Sequence, residues 1–175
     1  RALMHLTKAI FHKKKSGDPI VGCRTSFMWE RQTKCVSKSL GKPMIIDSHC
    51  HLHDEKYAAD LDEVLIRAQQ ASITHMVSIG CDIRTTQAAK DIAHRIPQVY
   101  FTAGFHPHDA KGMSDASFLA LKNLAQDEKC VAIGECGLDY YYEHSSPTVQ
   151  KEAFAKQIEL AQELKLPVVI HLRDA

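Results

Sequence analysis

Residues 45–53 read IIDSHCHLH: a short apolar, β-branched run that gives way to alternating histidines. Ile45 and Ile46 predict a buried strand. Side chains at i and i+2 of a strand share a face, so His49 and His51 aim their imidazoles at one point where the strand ends. Neutral imidazoles that converge suit Zn²⁺ or a similar divalent ion. The plainer alternative is a strand end carrying one packed and one solvated histidine. The rest of the chain decides between them.

From Met44 onward, strand and helix signals alternate. Apolar runs at 44–47, 75–80, 99–104, 130–134 and 167–171 predict strands. Amphipathic helices fall between them. The first opens at Asp60, with Glu63 placed for a capping box, and presents Leu61, Val64, Leu65 and Ala68 on one face. The second covers 85–96 and stops at Pro97, and the third follows Ser114 with Phe118, Leu121 and Leu124 inward. The last has Ser146 and Pro147 as N-cap and first helical residue and carries Phe154, Ile158 and Ala161 to Leu164. Strand starts lie roughly 30 residues apart, the repeat of an α/β (β/α)₈ TIM barrel, in which about 250 residues make eight units. The 175 residues hold five such strands. The expected fold is therefore a TIM barrel truncated after about five strands, with two open edges and with the inward faces of Ile46, Val77 or Ile79, Ile133 and Val169 uncovered. A doubly wound open sheet would call for a phosphate-binding loop at a switch point, and neither G-x-G-x-x-G nor a Walker loop is present.

Composition sets outer limits. The chain is 45% hydrophobic and 25% charged, as in a globular domain. No apolar run approaches the ~20 residues of a membrane span, and no secretory signal pattern opens the chain. The cysteines at 23, 35, 50, 81, 130 and 136 form no Cys-x-x-Cys pair, which points to a reducing, cytoplasmic setting. The net charge of +1 conceals an asymmetry: residues 1–43 carry ten basic and two acidic residues (+8), leaving twelve basic and nineteen acidic (−7) for 44–175. The expected organisation is a flexible basic extension, 1–43, before a barrel segment, 44–175. No membrane partner and no obligate protein partner is expected.

Polar residues then recur at strand ends. GFHPHD (104–109) places His106 and His108 after the third strand, IGECGLDYYYE (133–143) places Glu135 and Asp139 at the end of the fourth, and VVIHLRDA (168–175) places His171, Arg173 and Asp174 at the end of the fifth. Barrel enzymes build their active sites on this rim. Each residue alone has a structural explanation, but four coincidences in register favour a metal cluster.

Together, IIDSHCHLH, GFHPHD, IGECGLDYYY followed by Gln150, Phe154, Gln157 and Ala161, and LPVVIHLRDA resemble the TatD family of metal-dependent deoxyribonucleases. The resemblance spans 44–175. It implies a hydrolase of the amidohydrolase type with two divalent ions (Mg²⁺, Mn²⁺ or Zn²⁺). By position, His49 and His51 would bind one ion, Glu135 would bridge both as the catalytic carboxylate, His171 would bind the other, and His106 would contact substrate phosphate. The family's further histidine after the sixth strand and its aspartate after the eighth have no counterpart within 1–175. The implied reaction is exonucleolytic hydrolysis of phosphodiesters at DNA strand ends. Two alternatives stay open: a barrel acting on amides, esters or lactones, because ligands fix the metal and not the bond cleaved, and an inactive truncated product that only binds metal or a partner.

Overall fold

The computed structural model describes residues 44–175; the expected basic extension lies outside the described residues. Five strands alternate with four helices: β1 (Ile45–Cys50), α1 (Leu61–Gln70), β2 (Ile73–Ile79), α2 (Ile83–Arg95), β3 (Val99–Ala103), α3 (Asp115–Ala125), β4 (Cys130–Asp139), α4 (Pro147–Leu164) and β5 (Val168–Arg173). The sheet order is β1-β2-β3-β4-β5 with every neighbouring pair parallel, the order of consecutive barrel strands. All C-terminal strand ends therefore fall on one rim.

Helix boundaries follow local chemistry. Asp82 and Thr85 form a reciprocal capping box at the start of α2, and Ser114 and Ser117 do the same for α3. Ser146 caps α4, with Pro147 at its first position. The capping box expected at Asp60 and Glu63 does not form. Arg67 is placed to draw both acids along the helix instead: its guanidinium lies 3.3 Å from Asp60 and 3.7 Å from Glu63.

The core lies between sheet and helices. Val99, Phe101 and Ile133 meet Ala89 and Ala93 of α2, Leu121 and Ala125 of α3, and Leu160 and Ala161 of α4. On the sheet's other face the expectation of general exposure is wrong. Val77, Ile79 and Val169 are buried, and Ile133 is buried in the helix-side core instead, whereas Ile46 is exposed as expected, and apolar exposure gathers on the edge strands, at Ile45 and Ile46 of β1 and Ile170 and Leu172 of β5. Among the described residues each central strand has a hydrogen-bonded neighbour on either side, and only the outer strands lack one. Among the described residues no helix is long and apolar enough to cross a membrane.

One ion-pair network ties α2 to the turn before β4. Asp127 accepts from Lys129 N at 2.9 Å and pairs with Lys90 at 3.0 Å and His94 at 2.9 Å. Burial opposes its charge, yet the Lys129 amide, Lys90 and His94 together hold its carboxyl down to about 2. A carboxyl depressed in the fold stabilises above its unfolded value, about 3.9, and loses that contribution as pH falls through the folded value. Asp127→Asn should therefore cost about 1 kcal/mol at pH 7. In urea titrations at stepped pH, the wild-type advantage should shrink between pH 4 and pH 2; an advantage constant over that range would refute the network.

Candidate metal centre

The rim is assembled from four strands. The register of β1 against β2 shifts between Asp47 and Cys50, and the Asp47 carboxylate accepts from His49 N at 3.1 Å, so the strand turns as it delivers its histidines. His49 and His51 stand edge to face, 5.3 Å between ring centres. Glu135 lies within β4, not beyond it: the strand continues through Gly134 and Gly137, both at positive φ, and keeps pairing with β5 as far as Asp139. His171 likewise lies inside β5, opposite Gly137. The backbone N–H of His106 donates to Cys81 O, anchoring the loop after β3 beside the ends of β2 and β4.

Glu135 is the hub. Its Oε2 faces His49 Nε2 at 3.4 Å, and its Oε1 faces His171 Nδ1 at 3.2 Å. Two triads result, His49–His51–Glu135 and His106–Glu135–His171, each with three ligand-type atoms within 4.8 Å of one another. That spacing fits N and O atoms around one divalent ion at about 2.0–2.2 Å each. Burial opposes charge on Glu135, yet hydrogen bonding to His171 and His49 holds its carboxyl well below the usual range. His51 is pushed down by burial and by its neighbour His49, which keeps its ring neutral and able to coordinate. Among the described residues, His49 Nδ1 is buried without a hydrogen-bond partner, a cost of about 1–3 kcal/mol unless something answers it. Donor set and spacing fit a metal ion, whereas the orphaned Nδ1 is the ring nitrogen turned away from Glu135.

The residues around the hub set the ring tautomers. His171 Nε2 lies 3.0 Å from Asp139 Oδ2, an acceptor that places the ring proton on Nε2 and leaves Nδ1 toward Glu135. The bond to Glu135, followed by that to Asp139, raises the His171 pKa against the effect of burial, so metal binding here displaces a proton. His106 is different. Its Nδ1 accepts from His108 N at 3.2 Å, as the cap of the 3₁₀ turn Pro107–Gly112, so the neutral ring carries its proton on Nε2. Burial pushes its pKa down to about 4, so the ring is neutral at pH 7.

Three residues that the sequence reading names without a role prove to be supports. Asp139, fully buried, also binds His108 Nε2 at 2.8 Å, so its Oδ2 joins two histidines. Gln157 of α4 clamps the backbone of Phe105 through both N–H and C=O, and Gln150 does the same for Asp139. Their spacing of i, i+7 beside Ala153, Leu160 and Ala161 was a usable signal: polar residues on the helix face that turns inward.

Comparison with known proteins identifies the family. The profile of the family described as TatD related DNase matches residues 46–175. Among curated relatives, an uncharacterized metal-dependent hydrolase, YabD, of Bacillus subtilis is 42% identical over 132 residues, which is 75% of this chain and 52% of the relative. The 3'-5' ssDNA/RNA exonuclease TatD of Salmonella typhimurium is 40% identical over 131 residues, 75% of this chain and 50% of that protein. Among solved structures, the TatD homolog YJJV from Escherichia coli superposes with a TM-score of 0.69 at 28% identity, covering 74% of this chain and 51% of that one. A hydrolase TatD family protein from Entamoeba histolytica gives 0.71 at 25% identity, covering 75% and 50%. The chain thus spans about half the length of these relatives. With the profile match over 46–175 and the five consecutive parallel strands of a TIM barrel, the chain belongs to the TatD-related DNase family.

Proposed function

We propose that this chain supplies the metal-binding rim of a hydrolase that cleaves phosphodiester bonds at the ends of DNA strands. The observation that carries the reading is the divided carboxylate of Glu135, one oxygen toward His49 and the other toward His171. A carboxylate so placed could take a cation on each oxygen.

His49, His51 and Glu135 would hold the first ion, and Glu135 with His171 the second. With fewer ligands among the described residues, the second site is the weaker. Bound there, two divalent ions lower the pKa of water and brace the attacking and leaving oxygens of a phosphodiester. The protein groups do the rest. Asp139 fixes the His171 ring through Nε2. His106 lies within reach of a ligand position, but its Nδ1 is committed to the His108 amide, so it acts as a neutral N–H donor to a phosphate oxygen. The name of the Salmonella relative, an exonuclease on single-stranded DNA and RNA, supports the same substrate class.

The test uses the protein in the form its cells make, stripped with chelator and then restored with Mg²⁺, Mn²⁺ or Zn²⁺. Single-stranded DNA labelled at either end should shorten from one end only when metal is returned. Metal-dependent turnover of p-nitrophenyl acetate with DNA left intact would overturn the proposal in favour of an amide- or ester-cleaving barrel.

A further inference from the structure

Beside the metal centre the rim carries an exposed cluster of flat side chains that the metal chemistry does not use. Tyr141 and Tyr142, directly after β4, are 58% and 50% exposed and meet edge to face at 4.7 Å. The Arg173 guanidinium, from the end of β5, lies over both rings at 4.1 and 4.5 Å. The exposed His144 ring lies nearly parallel to Tyr142, 13° between planes. Contacts run inward without a break: His144 and Tyr142 each meet the ring of His108, at 4.6 and 5.5 Å, and His108 meets that of His106 at 4.4 Å. One buried group sets both regions. Asp139 Oδ2 serves His171 and His108, and its Oδ1 accepts the backbone N–H of Tyr141 and Tyr142. The aromatic turn is thus held in register with the proposed phosphate site.

We propose that Tyr141, Tyr142, His144 and Arg173 form a stacking platform for an unpaired nucleobase of the strand end entering the metal centre. This deepens the phosphodiesterase reading and rests on it. Two exposed tyrosines at a strand-end rim offer π-faces, and every base has a matching one; a paired base inside a duplex has its faces already covered. Charge alone does not provide the affinity, because residues 44–175 carry twelve basic against nineteen acidic groups. Arg173 adds a cation that is placed over the tyrosine rings and can face either a base or a phosphate.

The experiment compares the native protein with the Tyr142→Ala, His144→Ala double variant and with Tyr142→Phe. Binding of an internally labelled oligodeoxynucleotide is followed by fluorescence anisotropy in chelator, with natural bases or with abasic residues at both ends, and an RNA of the same sequence forms a further arm. The double variant should bind the base-bearing DNA and RNA about ten-fold more weakly. Tyr142→Phe should bind as wild type does. On the abasic strand the wild type has no base to stack, so wild type and double variant should converge. In turnover the loss should appear in KM more than in kcat, with metal content unchanged. An equal preference for bases over abasic ends in wild type and double variant would overturn the platform, as would loss of bound metal from the double variant. A wild type that discriminates bases from abasic ends but never cleaves would sink the phosphodiesterase reading and leave the platform standing.

Discussion

Glu135→Gln should leave the protein folded but largely empty of metal. The native protein should hold about two divalent ions per chain, and the variant at most one, weakly bound. Glutamine keeps the size of the side chain and one carbonyl oxygen, so packing changes little. What it removes is the negative charge that faces His49 on one side and His171 on the other. Without that charge, two cations at adjacent positions repel with nothing between them, and the second keeps only neutral ligands, His171 with His106 nearby. The loss in kcat should reach at least about a thousand-fold, because deletion of a single pre-organised electrostatic contact already costs on the order of 10²–10³. Elemental analysis after dialysis gives the stoichiometry, and far-UV circular dichroism reports the fold. Nuclease activity within ten-fold of wild type, or unchanged metal content, would reduce Glu135 to a structural partner of the two histidines.

The sequence reading places Glu135 among the strand-end polar residues because three kinds of signal are local, and its bridging role comes from the resemblance. Alternation in 45–53, apolar runs before polar ends and helix start signals all act over a few residues, so β1–β5 and α1–α4 were legible in order. Where the reading stopped short, the deciding contact came from far along the chain. The fourth strand was read as ending at 134; it runs to Asp139 because Gly134 and Gly137 adopt positive φ and let the backbone keep its partners in β5. The pairing of Asp139 with His108 and His171 spans 31 and 32 positions, and no pattern within one element encodes it. Gln150 and Gln157 mark the inward face of α4, but the loops that they clamp are set by contacts far along the chain. At Asp60 and Glu63 the motif was present and its chemistry was diverted by Arg67. His106 was assigned to substrate from the resemblance alone; the structure adds its bond from the His108 amide, which bears on the protonation of the ring.

Gly137→Ala should be the most damaging small substitution near the site, and it probes whether the β4–β5 pairing holds the second metal position. Gly137 sits at φ +142, where an L side chain is strained, and pairs directly with His171. A methyl group there would lie 2.0 Å from the His171 carbonyl oxygen and about 3 Å from its carbonyl carbon and amide nitrogen. These are backbone atoms, so no rotamer change relieves the overlap; β5 must move as a strand and take His171 with it. Strain at the residue and overpacking each cost about 1–3 kcal/mol. For a domain of this size that total corresponds to a fall of roughly 10 °C in Tm. The metal centre should fail unevenly. The His171 side should lose its ion, whereas His49 and His51, held on β1 and the turn after it, should keep a weakened one with Glu135. Gly112→Ala is the control, because nothing lies within 4 Å of its added methyl, and it should melt with wild type. Calorimetry and metal titration on the two variants give the answer. If Gly137→Ala melts with Gly112→Ala and still binds two ions, then β4 and β5 are free to separate at this point, and His171 is not held against Glu135 by their pairing.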